Sequence, residues 1–302
     1  MGRIAFVFSG QGDQFSGMGK DLYEQYTVAK EVFDLCDAIR PETSVQCFNG
    51  TEEELKETKN TQPCLFAMEL AAASVLVEHG IRPKAVAGFS LGEVVAAVFS
   101  GIVDRETGFR LVCRRGELMQ SAAEAQDTSM AAVVKLDNET VKALCAKYSA
   151  VYPVNFNCPG QVSVAGLTRE MADFSADVKE AGGRALPIKV KGGFHSPFMN
   201  EASAFFAEEL SKVAFYKSDV ILYSNKTAKP YDENVAELLS EQIKSPVLWE
   251  ETIRNMIASG VDTFIEIGPG KTLTNMTKKI DAEVKVYSVS ELAMVLSEVS
   301  GC

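Results

Sequence analysis

One serine and one histidine carry the chemistry open to this chain. Ser90 stands between two glycines in Gly88-Phe89-Ser90-Leu91-Gly92, and His195 lies in Gly192-Gly193-Phe194-His195-Ser196-Pro197. A serine hydroxyl is a poor nucleophile until a neighbouring base takes its proton, and imidazole is the usual base near neutral pH. The sequence holds only two histidines. The other, His79 in Glu78-His79-Gly80, falls in the last turn of an apolar helix. A cation there offsets the helix dipole, which is a sufficient structural role. His195 is left as the base, and the pairing points to acyl transfer through serine.

A third residue adds selectivity. Within Arg114-Arg115-Gly116-Glu117-Leu118-Met119-Gln120, helical spacing puts Arg115 on the apolar stripe of Leu111, Val112 and Met119, while Arg114 shares a wetter face with Arg110 and Glu117. A buried charge must be paired or face a cleft. Arg115 is therefore either half of an internal salt bridge or a planar fork for a substrate carboxylate.

These residues need a scaffold that brings them together. Arg3–Phe8 reads as a buried strand ended by Ser9-Gly10-Gln11-Gly12, and residues 65–78 as a buried helix stopped by Gly80. Strand 85–88, a sharp turn at Ser90 and helix 91–99 supply the strand–turn–helix context of a nucleophile elbow. The glycines remove side chains that would clash there, and the first N–H groups of the following helix point at any oxyanion formed at the turn. Between 128 and 192 the pattern changes. Strand 130–136, helix 138–148, strands 152–156 and 162–167, helix 169–181 and strand 184–190 give the order βαββαβ, which predicts an inserted ferredoxin-like domain. Alternation then resumes, with helices over 197–213, 236–242, 246–258 and 272–280 and strands over 220–223, 263–267 and 284–289. The fold class is α/β. A large domain over 1–127 and 193–302 carries a mostly parallel sheet covered on both faces, with the small domain, 128–192, inserted.

Bulk properties exclude other classes. With 41 acidic against 30 basic side chains, the net charge of −11 argues against a broad nucleic-acid footprint. Seven cysteines occur singly, an odd number with no C-x-x-C, as expected of a reduced cytoplasmic chain. The apolar run 4–8 is too short for a signal-peptide core, and the tract 64–77, interrupted by Glu69, is too short to span a bilayer. No metal or cofactor is expected, and nothing requires more than a monomer.

Six motifs occur in order along the chain: Phe8-Ser9-Gly10-Gln11-Gly12-Asp13-Gln14, Thr61-Gln62-Pro63, Gly88-Phe89-Ser90-Leu91-Gly92-Glu93, Arg115-Gly116-x-x-Met119-Gln120, Asn157-Cys158-Pro159-Gly160-Gln161 and Gly268-Pro269-Gly270-Lys271. Together they resemble the malonyl-CoA:acyl-carrier-protein transacylase family, relatives of polyketide-synthase acyltransferase domains. The resemblance implies an α/β-hydrolase-like large domain with the active site facing the ferredoxin-like insert. It implies Ser90 as acyl-accepting nucleophile and His195 as general base and then acid. The N–H groups of Gln11 and Leu91 would form the oxyanion hole, and Arg115 would pair with the malonyl carboxylate. The main-chain carbonyl of Gln242 would orient the histidine in place of a triad aspartate. Gln62, Phe89, Asn157 and Phe194 are expected in the pocket, malonyl-CoA and acyl carrier protein as substrates, and a fatty-acid or polyketide pathway as the setting. The family usually carries histidine where this chain has Phe89, whereas Phe194 before His195 matches the malonyl-preferring pattern.

Other readings compete. An acyltransferase with another acyl-CoA preference would share the machinery. A lipase, esterase or thioesterase would share the elbow, but usually carries an HGGG-type oxyanion run, which this chain lacks. Position 15 is Phe, so the dinucleotide fingerprint fails after Gly10-x-Gly12. Ile265 replaces the glycine that a P-loop ending at Gly270-Lys271-Thr272 requires, so that run is expected to be a helix-start turn near the cleft. A non-enzymatic docking module would tolerate damage to Ser90, His195 or Arg115, yet all three are intact. Lys189, Lys191, Lys226, Lys229, Lys271 and Lys278 are candidates for contact with an acidic carrier protein or with CoA phosphates.

Overall fold

In the computed structural model, which describes residues 3–190 and 192–299, the apolar run Arg3–Phe8 forms β1 at the centre of a parallel sheet. Its side chains alternate between two cores. Phe6 and Phe8 join one cluster with the N-terminal helices, and Ala5 and Val7 join another with Trp249 and Ile253. Burial on both faces is what a central parallel strand requires, and it explains a continuous apolar run in place of strict alternation.

After β1, four helices wrap one face: α1 (Lys20–Gln25), α2 (Thr27–Ile39), α3 (Thr43–Asn49) and α4 (Glu52–Lys56). The long α5 (Thr58–Glu78) follows, then β2 (Ala85–Gly88), α6 (Leu91–Phe99) and α7 (Arg105–Glu124). The helix expected from residue 65 thus starts seven residues earlier. Pro63 reads as a breaker, but Thr58, Thr61 and Gln62 are buried, and α5 packs along α7. A Cβ on Gly116 of α7 would lie 3.0 Å from the Thr58 carbonyl, so glycine there sets how closely the two helices approach.

Next come β3 (Thr128–Val134), α8 (Asn138–Cys145), β4 (Val151–Cys158), β5 (Gln161–Leu167), α9 (Thr168–Glu180) and β6 (Arg184–Ile188). These strands form their own antiparallel sheet in the order β4-β5-β3-β6, the ferredoxin-like arrangement of a βαββαβ unit. Its separate core includes Val133, Val141, Val164 and Phe174.

The chain returns through a 3₁₀ turn at Pro197–Met199 into α10 (Asn200–Leu210), β7 (Ile221–Leu222), α11 (Val235–Gln242), α12 (Trp249–Ala258), β8 (Val261–Ile267), α13 (Thr272–Ile280), β9 (Lys285–Ser288) and α14 (Leu292–Val299). The main sheet has the order β7-β2-β1-β8-β9, every pair parallel. The helix expected from Pro246 begins only at Trp249. Val247 is held extended against β4, accepting from the Phe156 N–H at 2.9 Å and donating to the Val154 carbonyl at 2.9 Å. Among the described residues no helix is long and apolar enough to cross a membrane, and the six described cysteines are free.

Candidate active site

The turn after β2 is built by glycine. A Cβ on Gly88 would fall 1.8 Å from the Gly92 carbonyl carbon, and one on Gly92 would fall 2.3 Å from the Phe8 carbonyl oxygen. Only with both side chains absent can α6 start directly against β1. Ser90 between them takes φ 56° and ψ −106°, a strained conformation for a residue with a side chain. The surroundings hold it there. Its N–H donates to Asn225 Oδ1 at 2.8 Å, and its carbonyl accepts from Gln242 Nε2 at 2.6 Å.

His195 approaches from the segment that leaves the small sheet. It too has positive φ, 59°, and its backbone N–H donates to the Ile243 carbonyl at 3.1 Å. Nε2 lies 2.7 Å from Ser90 Oγ, and Nδ1 lies 2.9 Å from the Gln242 carbonyl oxygen. A carbonyl can only accept, so Nδ1 carries the proton and Nε2 offers a lone pair to the serine hydroxyl. Burial, reinforced by the charge of Arg115, pulls the imidazole down from 6.5 to about 4. The ring is therefore neutral at physiological pH, as a proton acceptor must be. His79 is occupied elsewhere: its Nδ1 lies 2.9 Å from the Val75 carbonyl and its ring packs edge-on against Tyr26.

Arg115, on α7, is fully buried. Its guanidinium donates to Gln62 Oε1 at 2.9 Å, Gln242 Oε1 at 2.8 Å and Ser90 Oγ at 3.2 Å, while Nε has no partner. None of the ion pairs among the described residues involves it. The internal salt bridge is thus not what holds this charge; neutral amide oxygens do. Burial draws the group down to about 10, against the pull of the Glu93 charge, so it stays cationic at neutral pH.

In front of Ser90 lies a cavity of about 330 Å³. Gln11, Phe89, Ser90 and Leu91 line it from beyond the ends of β1 and β2, with His195, Gln62, Asn157 and Phe194 around them. Arg115 and Gln242 sit one layer deeper, touching Ser90 from behind. Leu91 is the first residue of α6, so its N–H has no intrahelical acceptor. The loop carrying Gln11 is anchored by Ser9 Oγ, which donates to Glu266 Oε1 at 3.2 Å. The same carboxylate caps α13 through the Leu273 and Thr274 N–H groups at 3.0 and 2.7 Å. Gly270-Lys271-Thr272 is accordingly a helix-start turn, and Thr272 and Leu273 reach the cavity wall. Phe89 packs against Trp249, ring centroids 5.5 Å apart. Asn157 donates to Ser163 Oγ at 3.2 Å and leaves its own Oδ1 unpaired.

Three residues of the site escaped the sequence reading. Asn225 and Tyr231 lie in a stretch with no motif, brought in only by the loop after β7. Glu93 had a signal: it is the one charge in the apolar helix 91–99. Buried completely, it accepts from the Asn225 N–H at 3.0 Å, Tyr231 Oη at 2.6 Å and Gln242 Nε2 at 2.7 Å. Of the lysines singled out, Lys226 pairs with Glu241 at 3.5 Å and Lys271 with Glu291 at 2.6 Å. Lys189, Lys229 and Lys278 are exposed, and Lys191 lies outside the described residues.

A serine hydroxyl, a neutral imidazole and a buried guanidinium meeting at Ser90 Oγ form an arrangement that can perform acyl transfer, and comparison with known proteins points the same way. Residues 5–295 match the family model described as acyl transferase domain. The malonyl CoA-acyl carrier protein transacylase of Bacillus subtilis (strain 168) is 40% identical over 299 residues, covering 96% of this chain and 94% of that protein. The crystal structure of the malonyl CoA-acyl carrier protein transacylase from Clostridium perfringens superposes with a TM-score of 0.96 at 36% identity, covering 99% of this chain and 98% of that one. A malonyl-transacylase solved in complex with its holo type II PKS acyl-carrier protein superposes with a TM-score of 0.95 at 34% identity, covering 99% of this chain and all of that one. The sheet order, the glycine-built turn and these matches over nearly the whole length agree: the chain belongs to the acyl transferase domain family, and it is an acyltransferase.

Proposed function

We propose that this protein transfers a malonyl group from malonyl-CoA to the phosphopantetheine thiol of an acyl carrier protein through a Ser90 acyl-enzyme, in the service of fatty-acid synthesis. The observation that carries this reading is the convergence on Ser90 Oγ: a neutral imidazole nitrogen at 2.7 Å and, at 3.2 Å, a buried guanidinium without a carboxylate partner. The names of the relatives support the donor and the acceptor.

The steps follow from the geometry. Ser90 Oγ attacks the thioester carbonyl as its proton passes to His195 Nε2. The Gln242 carbonyl accepts from Nδ1–H and stabilises the imidazolium that forms. The oxyanion is held by the N–H groups of Leu91 and Gln11, and losing one such donor costs about 3–4 kcal/mol of barrier. The C–S bond breaks, His195 returns the proton to the CoA thiolate, and the malonyl ester remains on Ser90. The carrier-protein thiol then attacks this ester, its proton passing to His195 and on to Ser90 Oγ as the new thioester leaves. Arg115 takes the distal carboxylate, and an acetyl group would leave that buried charge unmet. Gln62, Phe89, Asn157 and Phe194 shape the pocket around the acyl chain.

In this reading residues 128–192 are an inserted domain that walls the cavity, and 1–127 with 193–302 are the α/β-hydrolase-like body. The enzyme works as a cytoplasmic monomer. Lys189 and Lys271, each next to a cavity-lining residue, are its contacts to acidic carrier protein. An esterase would hydrolyse the same adduct, and the relatives favour a thiol acceptor. Intact-protein mass spectrometry after mixing with malonyl-, methylmalonyl- or acetyl-CoA tests the proposal. A malonyl adduct on the Ser90 peptide, discharged by carrier-protein thiol and slowly by water, is expected. An adduct on another residue, or equal loading by acetyl-CoA, would refute it.

A further inference from the structure

Arg115 is held by oxygens of neutral amides, and a guanidinium only donates, so Gln242 must turn its oxygen to it. That orientation holds only if the Gln242 NH₂ finds acceptors on its other side. Nε2 of Gln242 donates to Glu93 Oε2 at 2.7 Å and to the Ser90 carbonyl at 2.6 Å, which leaves Oε1 for Arg115 at 2.8 Å. A carboxylate is an acceptor only, so Glu93 forbids the flipped amide. We propose that Glu93 is a positioning residue: it locks the Gln242 side chain so that an amide oxygen, and not a carboxylate, holds the guanidinium, leaving the Arg115 charge free for the substrate. The proposal rests on the roles given to Ser90 and Arg115 above.

The surroundings of Glu93 are matched to that task. All three of its partners, the Asn225 N–H, Tyr231 Oη and Gln242 Nε2, can donate. Burial pushes its carboxyl up to about 7, against those hydrogen bonds and the Arg115 charge, so the group is ionised under mildly alkaline conditions. A carboxylate directly on Arg115 would form an ion pair that an entering substrate must displace. One amide between them keeps the Coulomb attraction and leaves the guanidinium held by neutral oxygens alone. Glu93 also steadies the nucleophile, because both residues that grip the Ser90 peptide, Asn225 and Gln242, are hydrogen-bonded to it.

Glutamine at position 93 cannot substitute. Whichever way its amide is turned, its NH₂ meets an N–H, either that of Asn225 or that of Gln242. The Gln242 side chain or the Asn225 loop must then shift, and Arg115 loses its register. The test is the ratio of kcat/KM for malonyl-CoA to that for acetyl-CoA, measured at about pH 8, where Glu93 is ionised. Loss of the nucleophile's position acts on both substrates and cancels in the ratio, whereas misplacing Arg115 does not. Glu93→Gln is expected to lower the ratio by about tenfold or more, since misplacement by an ångström costs up to about a hundredfold. Glu93→Asp, which keeps the charge but withdraws it by one methylene, is expected to lower it in the same direction. It carries the test if the glutamine variant does not melt cooperatively. Phe33→Leu, a core change in α2 that does not line the cavity, serves as the stability control and is expected to leave the ratio within about twofold. An unchanged ratio in either folded Glu93 variant overturns the proposal, as does an equal shift in the control. A wild-type protein that forms no Ser90 adduct overturns the underlying reading and this proposal with it, so the two failures are told apart.

Discussion

Replacing Arg115 by methionine keeps an unbranched apolar stem and removes the fork. In the wild-type protein that fork is fully buried and meets only amide and hydroxyl oxygens. If it pairs with the substrate carboxylate, truncation removes one partner of a desolvated, hydrogen-bonded charge pair, a loss of about 2–5 kcal/mol. At 1.4 kcal/mol per decade this is roughly 30- to 4,000-fold in malonyl kcat/KM. Acetyl-CoA has no carboxylate to lose, so its kcat/KM is expected to change by less than about tenfold. Stability moves less. The Gln62 and Gln242 oxygens each lose a donor, about 1–3 kcal/mol apiece, while the fold is relieved of burying a charge whose desolvation draws its pKa to about 10. The assay is single-turnover acylation of Ser90 by each CoA thioester, followed by intact mass, with a thermal melt as control. The guanidinium also donates to Ser90 Oγ at 3.2 Å, which offers a rival role as a nucleophile-positioning group. Equal falls for malonyl and acetyl transfer would establish that role and refute selection.

Ser90→Ala is expected to abolish the mass adduct while leaving the melting temperature near wild type, and a surviving adduct would place the acyl group elsewhere. Labelled-histidine NMR on a His79→Gln background isolates His195, which is expected to stay neutral until the pH approaches 4; titration near 6.5 would contradict the burial argument. Because that folded-state value lies below the unfolded one, the contribution of His195 to stability is present above pH 6.5 and is lost as the pH falls towards 4, visible as a declining melting temperature. Asn225→Ala orphans the Ser90 N–H, and is expected to cost about 1–3 kcal/mol of stability and to slow acylation by both CoA esters alike. Gly92→Ala drives a Cβ to 2.3 Å from the Phe8 carbonyl, so a protein that folds at wild-type stability would refute the packing account of the turn.

Much of this molecule was legible in the sequence because the signals are local. The β1 run, the glycines around Ser90 and the βαββαβ order of the insert each state a backbone requirement that neighbouring residues alone impose. Only two histidines left His195 as the expected partner of Ser90, from which its Nε2 lies 2.7 Å, and helical spacing placed Arg115 on a buried stripe. What spacing could not tell was which partner that buried charge meets. Gln62 and Gln242 come from helices 53 and 127 residues away in sequence, and only packing brings them to one guanidinium. Asn225, Tyr231 and the locked amide of Gln242 were invisible for the same reason, since hydrogen-bond partners so distant in the chain leave no periodicity to read. The helix starts at Thr58 and Trp249 were likewise decided by tertiary contacts, α7 in one case and the edge of β4 in the other. Local sterics wrote the elbow into the sequence; the orientation of the charge behind it exists only once the chain has folded around it.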